Sequence, residues 1–259
     1  MDYKNIKMFV FDNDATLFNH KIGGIEDDVF DALRELKSKG YKLCLNTSRS
    51  YEETYNIPKK LYELMDMVIL LAGAYVFNND KFDIRYIDDD KVKQLINYFD
   101  THDVTYRYCL DNGIGYLNRH DEDKEAIFKR LYNMIPKIKK YENERVIHFI
   151  YYALNDTKQD IVKISNGLAH SNLRLGGEIA PSNTGKAYGV KLACEKFNID
   201  PKDVCAFGDG GNDVEMLKYA GLGIAMGNGS DECKQAADYI TEDINENGIV
   251  NALKRFEFI

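Results

Sequence analysis

The alternation of strand and helix patterns is the feature that most restricts the fold of this chain. Apolar runs typical of buried strands alternate with amphipathic segments in the first and last parts of the sequence. The runs lie at 6–11, 41–46, 67–71, 203–208 and 223–226. Ser50 and Glu53 form a Ser-x-x-Glu capping box that predicts a further helix after the second run. Such alternation indicates a parallel sheet with right-handed helical crossovers. We therefore predict an α/β fold with a Rossmann-like parallel-sheet core.

The middle of the chain has a different pattern. Two segments resemble hairpins, one turning at Asn78-Asn79-Asp80 and the other at Asn112-Gly113. Helices and single strands follow in mixed order, with helices expected over 88–102, 121–135 and 156–168 and strands over 145–153 and 172–179. This mixture indicates an inserted α+β domain. We predict core segments at 1–79 and 184–259 and an inserted domain at 80–183.

Composition excludes several classes of function. The 259 residues are 44% apolar and 29% charged, which is ordinary for a globular protein, and the net charge is −8. A negative chain is a poor ligand for nucleic acid or an anionic membrane, so we expect neither partner. The five cysteines are odd in number and form no Cys-x-x-Cys pair, which indicates reduced thiols. With no apolar signal segment at the N-terminus, we predict a cytoplasmic protein.

The first strand ends in two acids, Asp12 and Asp14. Past the end of a strand, positions i and i+2 can point the same way, so the two carboxylates would lie close together. Adjacent carboxylates repel unless a cation or a shared proton offsets the repulsion. Two other interpretations remain open at this point. The pair can be a turn or helix cap, or the metal-binding Asp-x-Asp of a sugar-nucleotide transferase.

Three further stretches lie at the carboxyl ends of predicted core strands or at the start of a core helix. They are Thr47-Ser48-Arg49, Lys186 and the sequence GDGGND at 208–213. Together with Asp12 they supply what phosphoryl transfer to a carboxylate requires: a nucleophile, ligands for a divalent cation and donors for phosphate oxygens. Asp12 and Asp209 can hold Mg²⁺, which prefers oxygen ligands, while Thr47 and Lys186 can hold the phosphate.

These stretches carry a family resemblance. The residues concerned are FDNDATL, NTSR, TGKAYGVKLACEKFNI, FGDGGNDVEML and GIAMGNGSDECKQAADYIT. The sequence resembles the haloacid dehalogenase-like phosphohydrolases, in particular the Cof-like branch with a large α+β cap. The resemblance covers the whole predicted core, in motif order and spacing. It implies that the inserted domain is a cap and that catalysis passes through an aspartyl-phosphate.

The resemblance also implies a role for each site residue. Asp12 would be the nucleophile, and Asp14 the general acid that then becomes the general base. The predicted magnesium ligands are Asp12, the backbone carbonyl of Asp14, Asp209 and, in support of the metal waters, Asp213. The predicted phosphate-binding residues are Thr47, Ser48, Lys186 and Asn212, with Lys186 also counted as catalytic.

The chain departs from the family pattern at four positions. Ala15, Ser48 and Ala187 replace residues that are usually glycine, and Ala72 replaces a usual asparagine. None of the four removes a charged group of the mechanism. We expect Ala15 and Ser48 to have negative φ, and the Ser48 hydroxyl to serve as an extra phosphate donor.

The sequence therefore predicts a cytoplasmic, Mg²⁺-dependent phosphatase that hydrolyses small phosphomonoesters such as sugar phosphates. Its expected partner is a small phosphorylated metabolite, and its expected state is a monomer or weak homodimer. Two alternatives share parts of this site. A phosphomutase or phosphotransferase would use the same aspartyl-phosphate, and a binding module would hold a phosphorylated metabolite without turnover. The acid/base carboxylate Asp14 speaks against simple binding.

Overall fold

The computed structural model describes residues 3–78, 81–132 and 134–259. It divides the chain into two compact units. The first unit comprises the residues up to Thr47, together with Ile57–Ile69 and Lys186–Ile259. The second comprises Ser48–Asn56 and Leu70–Gly185. The interpretation of residues 80–183 as a cap domain stays a prediction.

The first unit contains a parallel sheet with the strand order β14-β13-β12-β1-β2-β3. Its strands are β1 (Met8–Phe11), β2 (Lys42–Asn46), β3 (Met67–Leu70), β12 (Val204–Gly208), β13 (Leu222–Ala225) and β14 (Tyr239–Ile240). Strand β1 is central and fully buried. Phe11 at its end pairs with Leu45 of β2 and Phe207 of β12. The α/β prediction is confirmed, and the carboxyl ends of β2, β1 and β12 lie side by side.

Six α-helices belong to the described residues of the first unit. They are α1 (Asp27–Ser38), α2 (Lys59–Leu64), α6 (Lys186–Phe197), α7 (Val214–Tyr219), α8 (Asp231–Ala236) and α9 (Gly248–Arg255). Helix α1 shows why these segments form helices: its apolar residues recur on one face and are buried. It stops before Gly40, which takes the left-handed conformation (φ +89°) that ends many helices.

The second unit is α+β. Strands β4 (Tyr75–Asn78) and β5 (Lys81–Ile84) pair antiparallel. The expected turn residues Asn79 and Asp80 lie outside the described residues. A six-stranded sheet follows the order β10-β11-β9-β6-β7-β8. Its members are β6 (Thr105–Cys109), β7 (Gly115–Leu117), β8 (Lys137–Ile138), β9 (His148–Tyr152), β10 (Ala169–Leu173) and β11 (Gly176–Ala180). The helices of this unit are α3 (Asp89–Thr101), α4 (Glu122–Tyr132) and α5 (Asn155–Ile164).

Two predictions for the second unit are wrong in detail. The single strand expected over 172–179 is a hairpin of β10 and β11, because the chain turns between Leu173 and Gly176. The capping box at Ser50 forms, since the Ser50 N–H donates to Glu53 Oε2 at 2.7 Å. It opens only the 3₁₀ turn Glu52–Thr54 rather than an α-helix.

All five cysteines are buried and none forms a disulfide, in agreement with the predicted reduced thiols. Within the described residues, no helix combines the length and the apolar character needed to cross a lipid bilayer.

Candidate active site

Strand β1 delivers Asp12 to the end of the parallel sheet. The backbone N–H of Asp12 donates to the carbonyl oxygen of Phe207 at 3.0 Å, so the residue is still held by the neighbouring strand β12. Only 5% of Asp12 is exposed. Burial, with the negative charge of Asp213 as the next cause, raises the pKa of the Asp12 carboxyl well above its usual range. A buried carboxylate in this position needs positive charge beside it.

Lys186 supplies that positive charge from the first residue of α6. Its Nζ donates to Asp12 Oδ1 at 2.5 Å and to Asp213 Oδ1 at 2.6 Å. Burial alone lowers the pKa of the Lys186 ammonium, but the two carboxylates outweigh burial and raise this pKa above its ordinary value. The side chain of Asn46 donates to the backbone carbonyl of Lys186 at 2.8 Å and so fixes the start of the helix. Lys186 therefore remains a cation across the physiological range.

The loop after β12 is organised around Asp213, whose side chain is fully buried. Its Oδ2 accepts hydrogen bonds from the backbone N–H groups of Asp209, at 3.0 Å, and Gly210, at 2.9 Å. Position 208 requires glycine, because a Cβ there would lie 2.5 Å from the side chain of Asp213. The carboxylate of Asp213 thus holds the loop that presents Asp209.

Asp12, Asp209 and Asp213 form an acidic triad in which one carboxylate oxygen of each lies within 4.8 Å of the others. Burial, reinforced by the charge of Asp213, raises the pKa of Asp209 to about 7. Thr16 Oγ1 donates to Asp209 Oδ1 at 3.0 Å and orients this carboxylate. Three carboxylates facing one ammonium leave a formal charge of −2, which a divalent cation would neutralise. The oxygen-rich donor set fits Mg²⁺.

Asp14 points elsewhere. One oxygen of its carboxylate lies 3.0 Å from Nε2 of His20, and 26% of its side chain is exposed. The carboxylate of Asp14 is not part of the acidic triad found among the described residues. The two acids of the Asp-x-Asp motif are therefore in different environments, one buried against a lysine and one half-exposed beside a histidine.

Ala15, which follows Asp14 in the loop after β1, does not have the predicted backbone conformation. Ala15 has φ +60°, so the expected negative φ is wrong at this position. Two hydrogen bonds hold it: Ala15 N–H donates to Phe18 O at 3.0 Å, and Asn228 Nδ2 donates to Ala15 O at 2.8 Å. Ser48, by contrast, is absent from the left-handed positions found among the described residues.

The remaining predicted phosphate-binding residues lie as follows. Thr47 is buried, directly after β2, and its backbone N–H donates to Ile69 O at 2.9 Å. Asn212 lies in the 3₁₀ turn Gly211–Asp213 beside the triad. Ser48 belongs to the second unit, so its expected role as a phosphate donor stays a prediction.

Four further residues support the site and were not predicted: Asn46, Thr16, His20 and Asn228. Thr16 stands in the same stretch as Asp12 and Asp14, so its proximity in sequence was a usable signal. Asn228 fixes two loops at once, since its Oδ1 also accepts from Ile244 N–H at 2.8 Å. No local sequence pattern predicts the contact between His20 and Asp14, because this contact depends on how the loop 13–26 folds back.

Comparison with known proteins identifies the family of this chain. A family model described as haloacid dehalogenase-like hydrolase matches residues 9–253. Two Bacillus subtilis proteins named 5-amino-6-(5-phospho-D-ribitylamino)uracil phosphatase are similar along nearly their whole length. YitU is 26% identical over 96% of this chain and 97% of its own, and YcsE is 25% identical over 97% and 96%.

A solved structure is also similar. It is titled as the sugar phosphatase BT4131 of subclass IIB of the same superfamily, and it is 25% identical with a TM-score of 0.89. The match covers 98% of this chain and all of that one. The family model covers most of the chain, and the matched range includes the acidic triad and Lys186. The chain therefore belongs to the haloacid dehalogenase-like hydrolases, which confirms the family and the hydrolase class predicted from the sequence.

Proposed function

We propose that the protein is a Mg²⁺-dependent phosphatase that hydrolyses small phosphomonoesters by transferring the phosphoryl group to Asp12 and then to water. One observation carries the proposal. Asp12 lies buried at the end of the central strand, 2.5 Å from the Lys186 ammonium and within the acidic triad. A carboxylate so placed is rigid, desolvated and next to positive charge, as a nucleophile toward phosphorus requires.

The triad supports the choice of metal. Bound Mg²⁺ would be held by Asp12 and Asp209, with Asp213 behind them, and would neutralise charge on the phosphate oxygens. The backbone carbonyl of Asp14 is proposed as a further ligand. Lys186 partly offsets the rise in the pKa of Asp12 and holds the Asp12 carboxylate in one orientation, because its Nζ also donates to the fixed carboxylate of Asp213. Thr47 and Asn212 are proposed to donate to the phosphate from the two neighbouring strand ends.

Asp14 suits proton transfer. It stands two residues from the nucleophile, and its side chain is half-exposed where that of Asp12 is buried. Nε2 of His20 lies 3.0 Å from one oxygen of its carboxylate. We propose that Asp14 protonates the leaving oxygen and afterwards accepts a proton from the attacking water. Two carboxylates kept in different environments can hold different protonation states at one pH.

The names of the relatives support the substrate class. The Bacillus subtilis relatives are named for a phosphorylated ribityl compound and the structural relative for sugar phosphates. We propose small phosphorylated metabolites of this kind as substrates. The cytoplasmic location and the monomeric or weakly dimeric state remain predictions made at the level of the sequence.

The test is a screen of phosphorylated metabolites with Mg²⁺, run on the parent and on Asp12→Asn. Loss of a covalent nucleophile lowers turnover by several orders of magnitude, so the variant should lie at least about 1,000-fold below the parent. Asp203→Asn is the matched control, because Asp203 is also buried and pairs with a lysine, Lys7, at 2.7 Å. Full activity in the control and activity within about tenfold of the parent in Asp12→Asn would overturn the assignment.

A further inference from the structure

The stretch GNGS at 227–230 lies beside the site of the first unit, yet none of the chemical roles proposed above falls on it. It follows closely on β13, which ends at Ala225. Ala225 pairs with Gly208 at the end of the parallel strand β12. The stretch and Asp209 therefore lie at the same edge of the sheet. We call residues 227–230 the β13 loop.

The β13 loop is hydrogen-bonded to the loop after β12. The backbone N–H of Ser230 donates to the carbonyl oxygen of Asp209 at 2.8 Å. Directly before the β13 loop, the N–H of Met226 donates to the carbonyl oxygen of Gly208 at 2.9 Å. Two successive carbonyl groups, those of residues 208 and 209, are thus held from the side of the β13 loop.

Asn228 connects the same loop to the loop after β1. Its Nδ2 donates to the carbonyl oxygen of Ala15 at 2.8 Å, and its Oδ1 accepts from the N–H of Ile244 at 2.8 Å. Gly227 adds a second anchor, since its N–H donates to the carbonyl oxygen of Glu242 at 3.0 Å. An amide that accepts at one end and donates at the other is fixed in one orientation. Asn228 therefore presents a fixed donor to Ala15.

Ala15 depends on such contacts because of its backbone conformation. Its φ of +60° lies in the left-handed region, where the Cβ of an L-residue crowds the following carbonyl oxygen. Within the loop after β1, the N–H of Ala15 donates to the carbonyl oxygen of Phe18 at 3.0 Å. The hydrogen bond from Asn228 holds the peptide group on the other side of Ala15. Each of the two peptide groups that flank Ala15 is thus held by a hydrogen bond.

The conformation of Ala15 sets the direction of two residues of the site. Asp14, the proposed acid and base, precedes it, and Thr16, whose Oγ1 donates to Asp209 Oδ1 at 3.0 Å, follows it. Because the peptide groups are planar, a return of Ala15 to negative φ would rotate Asp14 relative to Thr16. A displacement of about 1 Å can lower a catalysed rate about 100-fold. The hydrogen bond from Asn228 opposes this rotation.

We infer that Asn228 is a positioning residue for Asp14: it holds Ala15 in the left-handed conformation and so keeps the acid/base carboxylate aligned. The inference rests on the proposed phosphatase function. Glycine at position 15 would adopt the same conformation without the steric cost. The dependence on Asn228 therefore follows from the alanine, and Ala15→Gly should remove most of it.

A double-mutant cycle of Asn228→Ala and Ala15→Gly tests the inference on the full chain with Mg²⁺. The substrates are phenyl phosphate and p-nitrophenyl phosphate, which share a ring, and the phenol oxygen depends more on a proton from Asp14 as it leaves. Asn228→Ala alone should lower kcat on phenyl phosphate at least about tenfold more than on p-nitrophenyl phosphate, with KM changed less than about threefold. In the Ala15→Gly background, the same substitution should lower kcat on phenyl phosphate at most about threefold.

Two further variants isolate the hydrogen bond to Ala15. Asn228→Asp keeps an acceptor for the N–H of Ile244 but has no donor for Ala15, so it should cause the same selective loss and be rescued by Ala15→Gly in the same way. Asn251→Ala is the matched control. The Asn251 side chain, in helix α9, also donates to a backbone carbonyl, that of Glu246, at 2.9 Å. Its loss should leave kcat on both substrates unchanged.

Urea unfolding of the same four proteins gives a readout that does not depend on turnover. Once Asn228 is removed, the loop with Ala15 can relax and recover its backbone strain, whereas the loop of the Ala15→Gly variant has no such strain to recover. Asn228→Ala should therefore lower the urea midpoint no more in the parent than in the Ala15→Gly background, although its loss of kcat is larger there. A merely structural role would lower the urea midpoint and kcat in parallel.

Three results would overturn the inference. They are equal losses of kcat in the two backgrounds, equal losses on the two substrates, and a larger fall of the urea midpoint in the parent than in the Ala15→Gly background. Undiminished turnover in Asp12→Asn would instead overturn the proposed function, while the urea comparison would still test the contact between Asn228 and Ala15.

Discussion

Lys186→Met tests how strongly the buried ammonium stabilises the fold. The substitution removes the cation that lies among three carboxylates and, with it, hydrogen bonds of 2.5 Å to Asp12 and 2.6 Å to Asp213. A hydrogen bond to a charged group contributes about 1.5–3 kcal/mol, and breaking a buried ion pair costs about 3–5 kcal/mol. We expect the free energy of unfolding to fall by about 3–5 kcal/mol near pH 8 in the presence of a chelator.

The pH dependence of this loss has a definite sign. The pKa of Asp209 is raised to about 7, which means that the folded chain binds this proton more tightly than the unfolded chain does. Lowering the pH through about 7 therefore favours the folded state. The effect is larger in Lys186→Met, because this variant lacks the ammonium that offsets the charge of the carboxylates. The deficit of Lys186→Met should shrink between about pH 8 and about pH 6.

Urea unfolding followed by circular dichroism measures both effects, because the chain has no tryptophan to report by fluorescence. Lys7→Met is the matched control. Lys7 also pairs with an aspartate, Asp203, at 2.7 Å, but 60% of its side chain is exposed, so its loss should cost less than about 1 kcal/mol. An equally small loss in Lys186→Met, or a deficit that grows toward low pH, would refute the reasoning.

Three further predictions concern Asp14, the binding of Mg²⁺ and the backbone at Ala15. Asp14→Asn should lower turnover of an alkyl phosphate at least about tenfold more than that of p-nitrophenyl phosphate, whose leaving oxygen needs little protonation; equal losses in kcat would contradict proton transfer by Asp14. Mg²⁺ should raise the urea midpoint of the metal-free protein more near pH 8 than near pH 6, because protons compete for the raised carboxylates of Asp12 and Asp209. An equal rise at both pH values would exclude a site made of these groups. Ala15→Gly should stabilise the fold by up to about 1 kcal/mol, since a left-handed L-residue costs roughly 1–2 kcal/mol and glycine loses roughly 0.5–1 kcal/mol of chain entropy. It should change kcat by less than about tenfold, and a larger rise would favour the binding-module alternative. Ala187→Gly, within helix α6, should shift stability in the opposite direction.

The main residues of the site were predictable, because their positions follow from where the strands of the parallel sheet end. Apolar runs located β1 and β12, and parallel pairing brings their carboxyl ends together, so Asp12 and Asp209 had to be neighbours. Helix α6 begins at Lys186, where the sequence placed it. These features depend on the local periodicity of apolar residues, which can be read from a single sequence, and on the rule that parallel strands end at the same edge of a sheet.

Features that depend on loop paths were not predictable. The contacts of Thr16 with Asp209 and of Asn228 with Ala15 join segments about two hundred positions apart in the chain. The negative φ expected for Ala15 followed from the ordinary preference of alanine, but two loop hydrogen bonds hold it in the left-handed region. In the second unit, the Ser50 capping box could be predicted from the sequence, whereas the short 3₁₀ turn that it opens and the burial of Glu53 against Arg107 could not.

The phosphorylated form of Asp12 is the most direct test of the central claim. The enzyme is mixed with a phosphomonoester labelled in its phosphoryl group, quenched in acid during turnover, digested and mapped by mass spectrometry. The account predicts a hydroxylamine-sensitive phosphoryl group on the peptide containing residues 8–18, located at Asp12 and lost in Asp12→Asn. A label on another residue, or sustained turnover with an unlabelled Asp12 peptide at every quench time, would contradict it.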